Sequence, residues 1–480
     1  MQTDELISLA INAIKNKTEG QTLEIKAAER GCPARLYDTL SSFSNQDQGG
    51  IILFGINENS CFSLVGVYDP HDLQKKVTEQ CSQMDPPVRA VFTAAELDGH
   101  QICAAEIPGI DLSERPCYYK GAGRLQGSFI RVGDADMRMT DYELYSLEAF
   151  RRHLHDDERP IERASITMLD TDSIAGYIRN KRSERPKFAL LSDEQAYEML
   201  YLTSGGIPTL AAVMNFGIYP QGCLPQLAIT AIVVPGTEIG DTSEDDARFI
   251  DNRRIEGTLS EMLEETLAFC RRNMKTRTII DLQTGKHISR TEYPLAAIRE
   301  AVLNALIHRD YSHYTEGTPI QINFFSDRLE IRSPGSLYGR MTVEQLGIAR
   351  PDQRNPALAV MAETLLGAEN RYSGIPTIRR EMAGYGLPEP VFQNRRNEFV
   401  VILYNSLKGI TEDEKQADRD EKNLLSFCKT PRTRKEIADH LGMQISNYLM
   451  KRYVQPLIDA GKLKMTMPDK PKSKFQKYFS

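Results

Sequence analysis

Apolar and polar positions alternate in QTLEIKAA (21–28), which predicts a short strand with one buried face. ARLYDTLSSFSNQ (34–46) changes to the longer repeat of a helix, and GGIILFGIN (49–57) is an apolar run entered through glycines, the pattern of a buried strand. AVFTAAELDGHQICAAEIPG (90–109) reads as a hairpin about Asp98-Gly99. GSFIRVGD (127–134) is a further strand and TDYELYSLEAFRRHL (140–154) a helix, so a mixed α/β unit fills residues 1–150. The polar segment HDDERPIE (155–162) reads as a linker. A second, connecting α/β unit, 160–285, contains the apolar strand LAITAIVVPG (227–236) and ends on the amphipathic helix TLSEMLEETLAFCRRNM (258–274). The third, 286–407, opens with REAVLNALIHRDYS (299–312) and continues into PIQINFFSDRLEIRSPG (319–335), two alternating strands joined at Ser326-Asp327. Beyond the charged connector GITEDEKQADRDEK (409–422), a small fourth unit occupies 420–480. The fold class is α+β multidomain.

Composition narrows the function classes. A chain of 480 residues exceeds what one hydrophobic core organises, and 41% hydrophobic with 26% charged residues suits a soluble globular protein. No apolar run reaches the length of a membrane helix, and MQTDELISLAINAIKNK carries acids where a signal peptide needs positive charge. A cytoplasmic location with no membrane partner is expected. The 8 cysteines form no CxxC pair, so reduced, mostly buried thiols are expected. A net charge of -7 excludes a chain coated all over with nucleic acid but leaves room for one basic module.

In REAVLNALIHRDYS, residues four apart share a helix face, so Glu300, Asn304 and His308 form one polar line among Ile298, Val302, Leu303 and Leu306. An Asn in mid-helix costs propensity and needs a reason. By spacing alone, a solvated stripe or an interhelix hydrogen bond accounts for it as well as a ligand does.

The stretch resembles the helix of the GHKL ATPase superfamily, which carries a Glu and an Asn four residues apart. With DRLEIRSPGSL, RNPALAVMAETL and GIPTIRREMAGYGLPEPVF following in order, it looks like the divergent ATP-binding module of bacterial AlbA_2-type transcriptional regulators. The resemblance implies ATP and Mg²⁺ as cofactors. Asn304 would be the metal ligand, through its amide oxygen, and Glu300 would orient the attacking water if ATP is hydrolysed, an activity the residues leave open. His308 would reach a phosphate or cap the helix end. Asp327 is one positional candidate for the adenine-binding acid, although the first residue of a tight turn explains it equally. Ser333, Pro334 and Gly335 would line the nucleotide, and Gly374 with Ile375 would bring backbone N–H groups to phosphate. The segment departs from the family's usual Gly-Thr-Gly-Ile, with Tyr372 and Ser373 ahead of Gly374.

LEIKAAERG, FSNQDQGGIILFGINEN and RPCYYKGAGRLQGSFIRVGD resemble the AlbA_2 domain shared by bacterial regulators and Schlafen proteins. Schlafen-type RNases use three acids, and Glu19, Glu24 and Glu58 occupy comparable places. They would be catalytic if the chain is a metal-dependent nuclease. Lys26, Arg124 and Arg131 would instead contact nucleic acid. TRKEIADHLGMQISNYLMKRYVQPLIDAGKLKMTMPDKPKSKFQKY resembles a winged helix-turn-helix. There Gln444, Ser446, Asn447 and Lys451 would face a groove, with Lys462, Lys464, Lys472 and Lys474 supplying phosphate attraction. Ile437, Leu441, Ile445, Leu449, Leu457 and Ile458 would form its small core. The reading that joins these parts is an ATP-responsive DNA-binding transcriptional regulator acting as a homodimer or higher homo-oligomer. Two others stay open: a Schlafen-like nuclease acting on RNA or DNA under nucleotide control, and a scaffold that binds nucleotide without turnover.

Overall fold

The computed structural model describes residues 1–243, 245–280, 287–367 and 373–405, with positions 424, 427–433, 436–437, 440, 454, 457–458, 463–466 and 477–479. In the N-terminal domain, strands Leu23–Lys26, Gly50–Phe54, His100–Ile107 and Val91–Leu97 form one sheet in that spatial order. The first pair is parallel and the others antiparallel. Strand alternation gives both faces an apolar set, and both are covered. Ile25, Leu53, Ile102 and Ala104 meet Leu6, Ala10 and Ala13 of helix Thr3–Asn16. Ile52, Phe54, Cys103 and Ala105 meet Leu40 and Phe43 of helix Tyr37–Ser44 and Leu73 and Val77 of helix Pro70–Ser82. The hairpin turns where the Asp-Gly pair predicts it: Asp98 (φ 49°) and Gly99 (φ 77°) are both left-handed, as a type I′ turn requires.

The expected separation of 160–285 from 286–407 is not a separation of cores. Six strands form one sheet in the order Asp251–Ile255, Ile229–Val233, Ile320–Phe324, Arg328–Pro334, Glu398–Tyr404, Val391–Asn394. Ile229–Val233 runs parallel to Ile320–Phe324, so both sides of residue 285 contribute to one sheet. Helices Leu259–Asn273, Leu295–His308 and Gly374–Gly384 pack in a common apolar core with it, through Phe269, Ala297, Ile298, Val302, Ile322, Leu329, Ile331 and Ile378. In the C-terminal region, strands Arg432–Thr433, Lys477–Phe479 and Lys464–Met465 form a small sheet over Leu424, Cys428, Ile437, Val454, Leu457 and Tyr478. Leu441, Ile445 and Leu449 lie outside the described residues. All eight thiols are free and five are buried, as the scattered spacing predicts. Among the described residues, no helix is long and apolar enough to cross a membrane.

HDDERPIE is not a solvated linker. Asp157 is 0% exposed, and its Oδ2 accepts the Leu358 N–H (2.9 Å) near the start of helix Pro356–Leu365, while Oδ1 has no hydrogen-bond partner among the described residues. Burial pushes its carboxyl up to about 7 against that backbone bond. Between pH 4 and 7 the native carboxyl therefore keeps a proton that the unfolded one has lost, so stability falls as pH rises through that window. Asp157→Asn is expected to remove this slope. In urea titrations at pH 5 to 8, its stability relative to wild type should rise with pH by roughly 3 kcal/mol and level off above pH 7. Parallel curves would show that Asp157 ionises without cost.

Candidate nucleotide site

Helix Leu295–His308 is apolar on nearly every side and correspondingly buried; past its first residues, its polar side chains are Arg299, Glu300, Asn304 and His308. A helix ending inside a protein leaves its last carbonyls without partners. Here three separate sequence words supply them. Ser333 Oγ donates to Ala305 O (3.1 Å), Tyr311 Oη to Leu306 O (2.7 Å), and Asn355 Nδ2 to Ile307 O (2.8 Å) and Arg309 O (2.7 Å). Arg309 is structural as well: its buried guanidinium donates to Thr315 O (3.1 Å) and Thr318 O (2.6 Å). Burial holds that group below its ordinary range.

The line of Glu300, Asn304 and His308 faces a cavity walled by Leu303, Ile331, Met341, Leu346, Phe399 and Val401, with Ser333, Gly335, Asp352, Gln353, Arg354, Gly374 and Ile375 also lining it. Glu300 is held by Arg299 (Nη1 to Oε1, 2.9 Å), and Arg299 is tied in turn to Leu366 O (2.6 Å). Asn304 is half-buried, and its side chain makes no hydrogen bond among the described residues. Helix Gly374–Gly384 begins against this pair: a Cβ on Gly374 would stand 3.0 Å from Asn304 Nδ2 and 3.3 Å from Glu300 Oε2. The N-terminus of this helix thus meets an amide and a carboxylate in one cavity. His308 is open to the cavity, but surrounding protein and the nearby Arg354 guanidinium hold its imidazole down to about 4. It is neutral at pH 7.

Two expected cavity residues lie elsewhere. Asp327 is at the far end of strand Arg328–Pro334 from Gly335, roughly 25 Å along extended chain. It pairs with Arg328 (3.0 Å) in the turn; the acids lining the cavity among the described residues are Glu300 and Asp352. Pro334 does not line the cavity; its carbonyl accepts the Asp310 N–H (2.9 Å). Asp352 escaped notice because it lies in irregular chain with no periodicity to place it. Tyr372 lies outside the described residues.

In the N-terminal domain the residues expected to contact nucleic acid are each engaged in an ion pair within the chain, and one of them is buried. Arg131 is buried, paired with Glu24 (2.8 Å) and Asp136 (2.9 Å). Arg124 pairs with Glu148 and donates to Leu144 O (3.4 Å). Lys26 pairs with Glu24. Burial would lower the Lys26 ammonium, but Glu24, then Glu19 and Glu58, hold it above its ordinary range. The three acids thus converge on a lysine. Burial first, then Glu24 and Glu58, raise Glu19 against the Ile25 N–H it accepts (2.6 Å). Among the described residues, no group of three His, Cys, Asp or Glu is disposed to hold a metal. Lys464 is exposed; Gln444, Ser446, Asn447, Lys451, Lys462, Lys472 and Lys474 lie outside the described residues.

Residues 19–140 match the family model "Schlafen, AlbA_2". Residues 317–403 match HATPase_c_4, "Putative ATP-dependent DNA helicase recG C-terminal", which takes in the cavity strands and starts beyond the site helix. Residues 421–479 match "Filamentation induced by cAMP protein Fic-like, C-terminal domain". No curated protein matches the chain. The crystal structure of the DIP2311 protein from Corynebacterium diphtheriae aligns with 92% of this chain and 91% of its own, at 19% identity and a TM-score of 0.40. The solution structure of the N-terminal domain of a "Putative ATP-dependent DNA Helicase RecG-related Protein" from Nitrosomonas europaea aligns with 29% of this chain and 95% of its own, at 24% identity and a TM-score of 0.24. Three segments of the chain are thus similar, in chain order, to an AlbA_2 domain, to an ATPase-type module and to a Fic-like C-terminal domain.

Proposed function

We propose that the cavity binds ATP with Mg²⁺ and that bound nucleotide regulates how the chain engages DNA. The observation that carries this reading is the meeting, in one apolar-walled cavity, of Glu300, the helix start at Gly374 and the Asn304 amide, which is unpartnered among the described residues. The aliphatic and aromatic wall suits a base, and helix N–H groups with their dipole suit phosphate. Asn304 offers an oxygen donor of the kind Mg²⁺ takes beside waters and phosphates; when bound, the ion neutralises phosphate charge. Glu300, steadied by Arg299, orients water in any hydrolytic step. DNA contact falls to the C-terminal region, where six lysines face one acid between Lys462 and Lys477. This reading moves the contact away from Lys26, Arg124 and Arg131, whose charges are already paired. The regulator is taken to work as a homo-oligomer.

Duplex DNA affinity, measured by fluorescence anisotropy on the full chain, is expected to change at least about fivefold when ATP and Mg²⁺ are added. Equal affinities would remove the coupling. Calorimetry showing no ATP binding would remove the nucleotide reading altogether.

A further inference from the structure

Arg354 lines the cavity at 8% exposure, a buried cation with an incomplete set of partners. Its Nη2 donates to Ser336 O (2.9 Å) and its guanidinium lies over the Tyr338 ring (5.1 Å). Its Nη1 has no hydrogen bond among the described residues; the carboxylate beside it, Asp310 Oδ2, is 3.6 Å away. An unsatisfied donor on a buried guanidinium is costly, and an anionic oxygen is the partner that its fork geometry suits. The backbone makes room for this arrangement. Gly335 has φ 99°, and a Cβ there would collide with Arg354 Nη1 and Asp310 Cβ.

Asp310 is the second half of the device. Its Oδ2 accepts the Tyr142 hydroxyl (2.7 Å) and its Oδ1 the Ser312 N–H (2.9 Å). Tyr142 belongs to helix Asp141–Arg152, which follows directly on the AlbA_2 match. The same helix sets Phe150 edge-on to Tyr338 (5.6 Å), and Asp111 of the AlbA_2 domain pairs with Arg340 (3.0 Å). His155 Nδ1 meets Arg354 O (3.0 Å). The AlbA_2 domain is therefore seated on the segment that walls the cavity.

We propose that Arg354 recognises the phosphate end of the nucleotide, and that engaging it loosens the Arg354–Asp310–Tyr142 chain on which the AlbA_2 domain rests. This inference rests on the nucleotide reading above. Sharing the guanidinium with phosphate weakens its hold on Asp310, and by reciprocity a chain already cut at Tyr142 binds ATP more tightly.

The test uses the full chain, with ATP and adenosine titrated separately by calorimetry and hydrogen exchange followed over helix Asp141–Arg152. Arg354→Gln is expected to weaken ATP about tenfold or more while adenosine stays within about twofold. Wild type is expected to show an ATP-induced rise in exchange over that helix; Tyr142→Phe is expected to tighten ATP about threefold and to abolish that rise. Unchanged ATP affinity in R354Q, or equal losses of ATP and adenosine, would overturn the recognition role. A Y142F chain that matches wild type in ATP affinity and exchange would overturn the relay, and it decides the matter if R354Q does not fold. Absence of ATP binding by wild type overturns the nucleotide reading and this inference together, whereas the variant outcomes strike this inference alone.

Discussion

Asn304→Ala is expected to abolish ATP–Mg²⁺ binding, a loss of about a hundredfold or more in affinity, without destabilising the chain. Nothing in the fold depends on the Asn304 amide: it is half-buried, sits in mid-helix and makes no hydrogen bond among the described residues. Alanine is the better helix former there by roughly 0.6 kcal/mol, so the variant should melt at or slightly above wild type. Loss of a ligand without loss of stability marks a residue held for binding. Glu300→Ala should behave differently. It removes an ion pair with Arg299, itself partly exposed, and leaves the Gly374 helix start and Asn304 in place. Binding is expected to survive, and any hydrolysis to fall by at least about a hundredfold, as for a group that positions or activates water. Calorimetry and phosphate release on the two variants separate the roles. An Asn304→Ala chain that binds as wild type would remove Asn304 as the metal's ligand, and normal turnover by Glu300→Ala would remove the water-handling role.

Local rules were enough for part of this site. Spacing of four put Glu300, Asn304 and His308 on one line, and the structure turns that line to one cavity. Asp98-Gly99 is likewise a short-range signal, and the chain turns there. Pairing over long sequence distances is different in kind. Nothing local in LAITAIVVPG says that Ile229–Val233 runs beside Ile320–Phe324, and that pairing joins two apparent units into one sheet. The words RSPG, HRDYS and RNP were legible as a set but not in their roles. Ser333, Tyr311 and Asn355 close the end of the site helix, a demand visible only once that end is known to be buried. Arg131 did carry a signal. In the strand Phe129–Val132, period two places it on the same face as buried Phe129, so its burial was readable from alternation.

That burial makes Arg131→Ala strongly destabilising. The guanidinium, 1% exposed, joins Glu24 (2.8 Å), Asp136 (2.9 Å) and the carbonyls of Gly20 and Leu23 (3.3 Å each), with its face over the Phe43 ring (5.2 Å). Asp136 is engaged further by Ser42 Oγ (2.6 Å) and Thr39 Oγ1 (2.7 Å), so one cation ties strand Leu23–Lys26 to helix Tyr37–Ser44. Removing it leaves two carboxylates in low dielectric with one lysine between Glu24 and solvent. Deleting one partner of a buried pair costs about 3–5 kcal/mol, because the remaining charge has lost its compensation. Lysine is no substitute: it restores charge but not the fork that reaches both acids, so Arg131→Lys should recover less than half of the loss. In a thermal melt of the full chain, the transition of the N-terminal domain should fall by roughly 10 °C in Arg131→Ala. The same variant separates an internal role from a nucleic-acid one. A phosphate contact would weaken DNA binding and flatten its salt dependence with the melt unchanged; an internal one lowers the melt and leaves the DNA affinity of the chain that remains folded as it was.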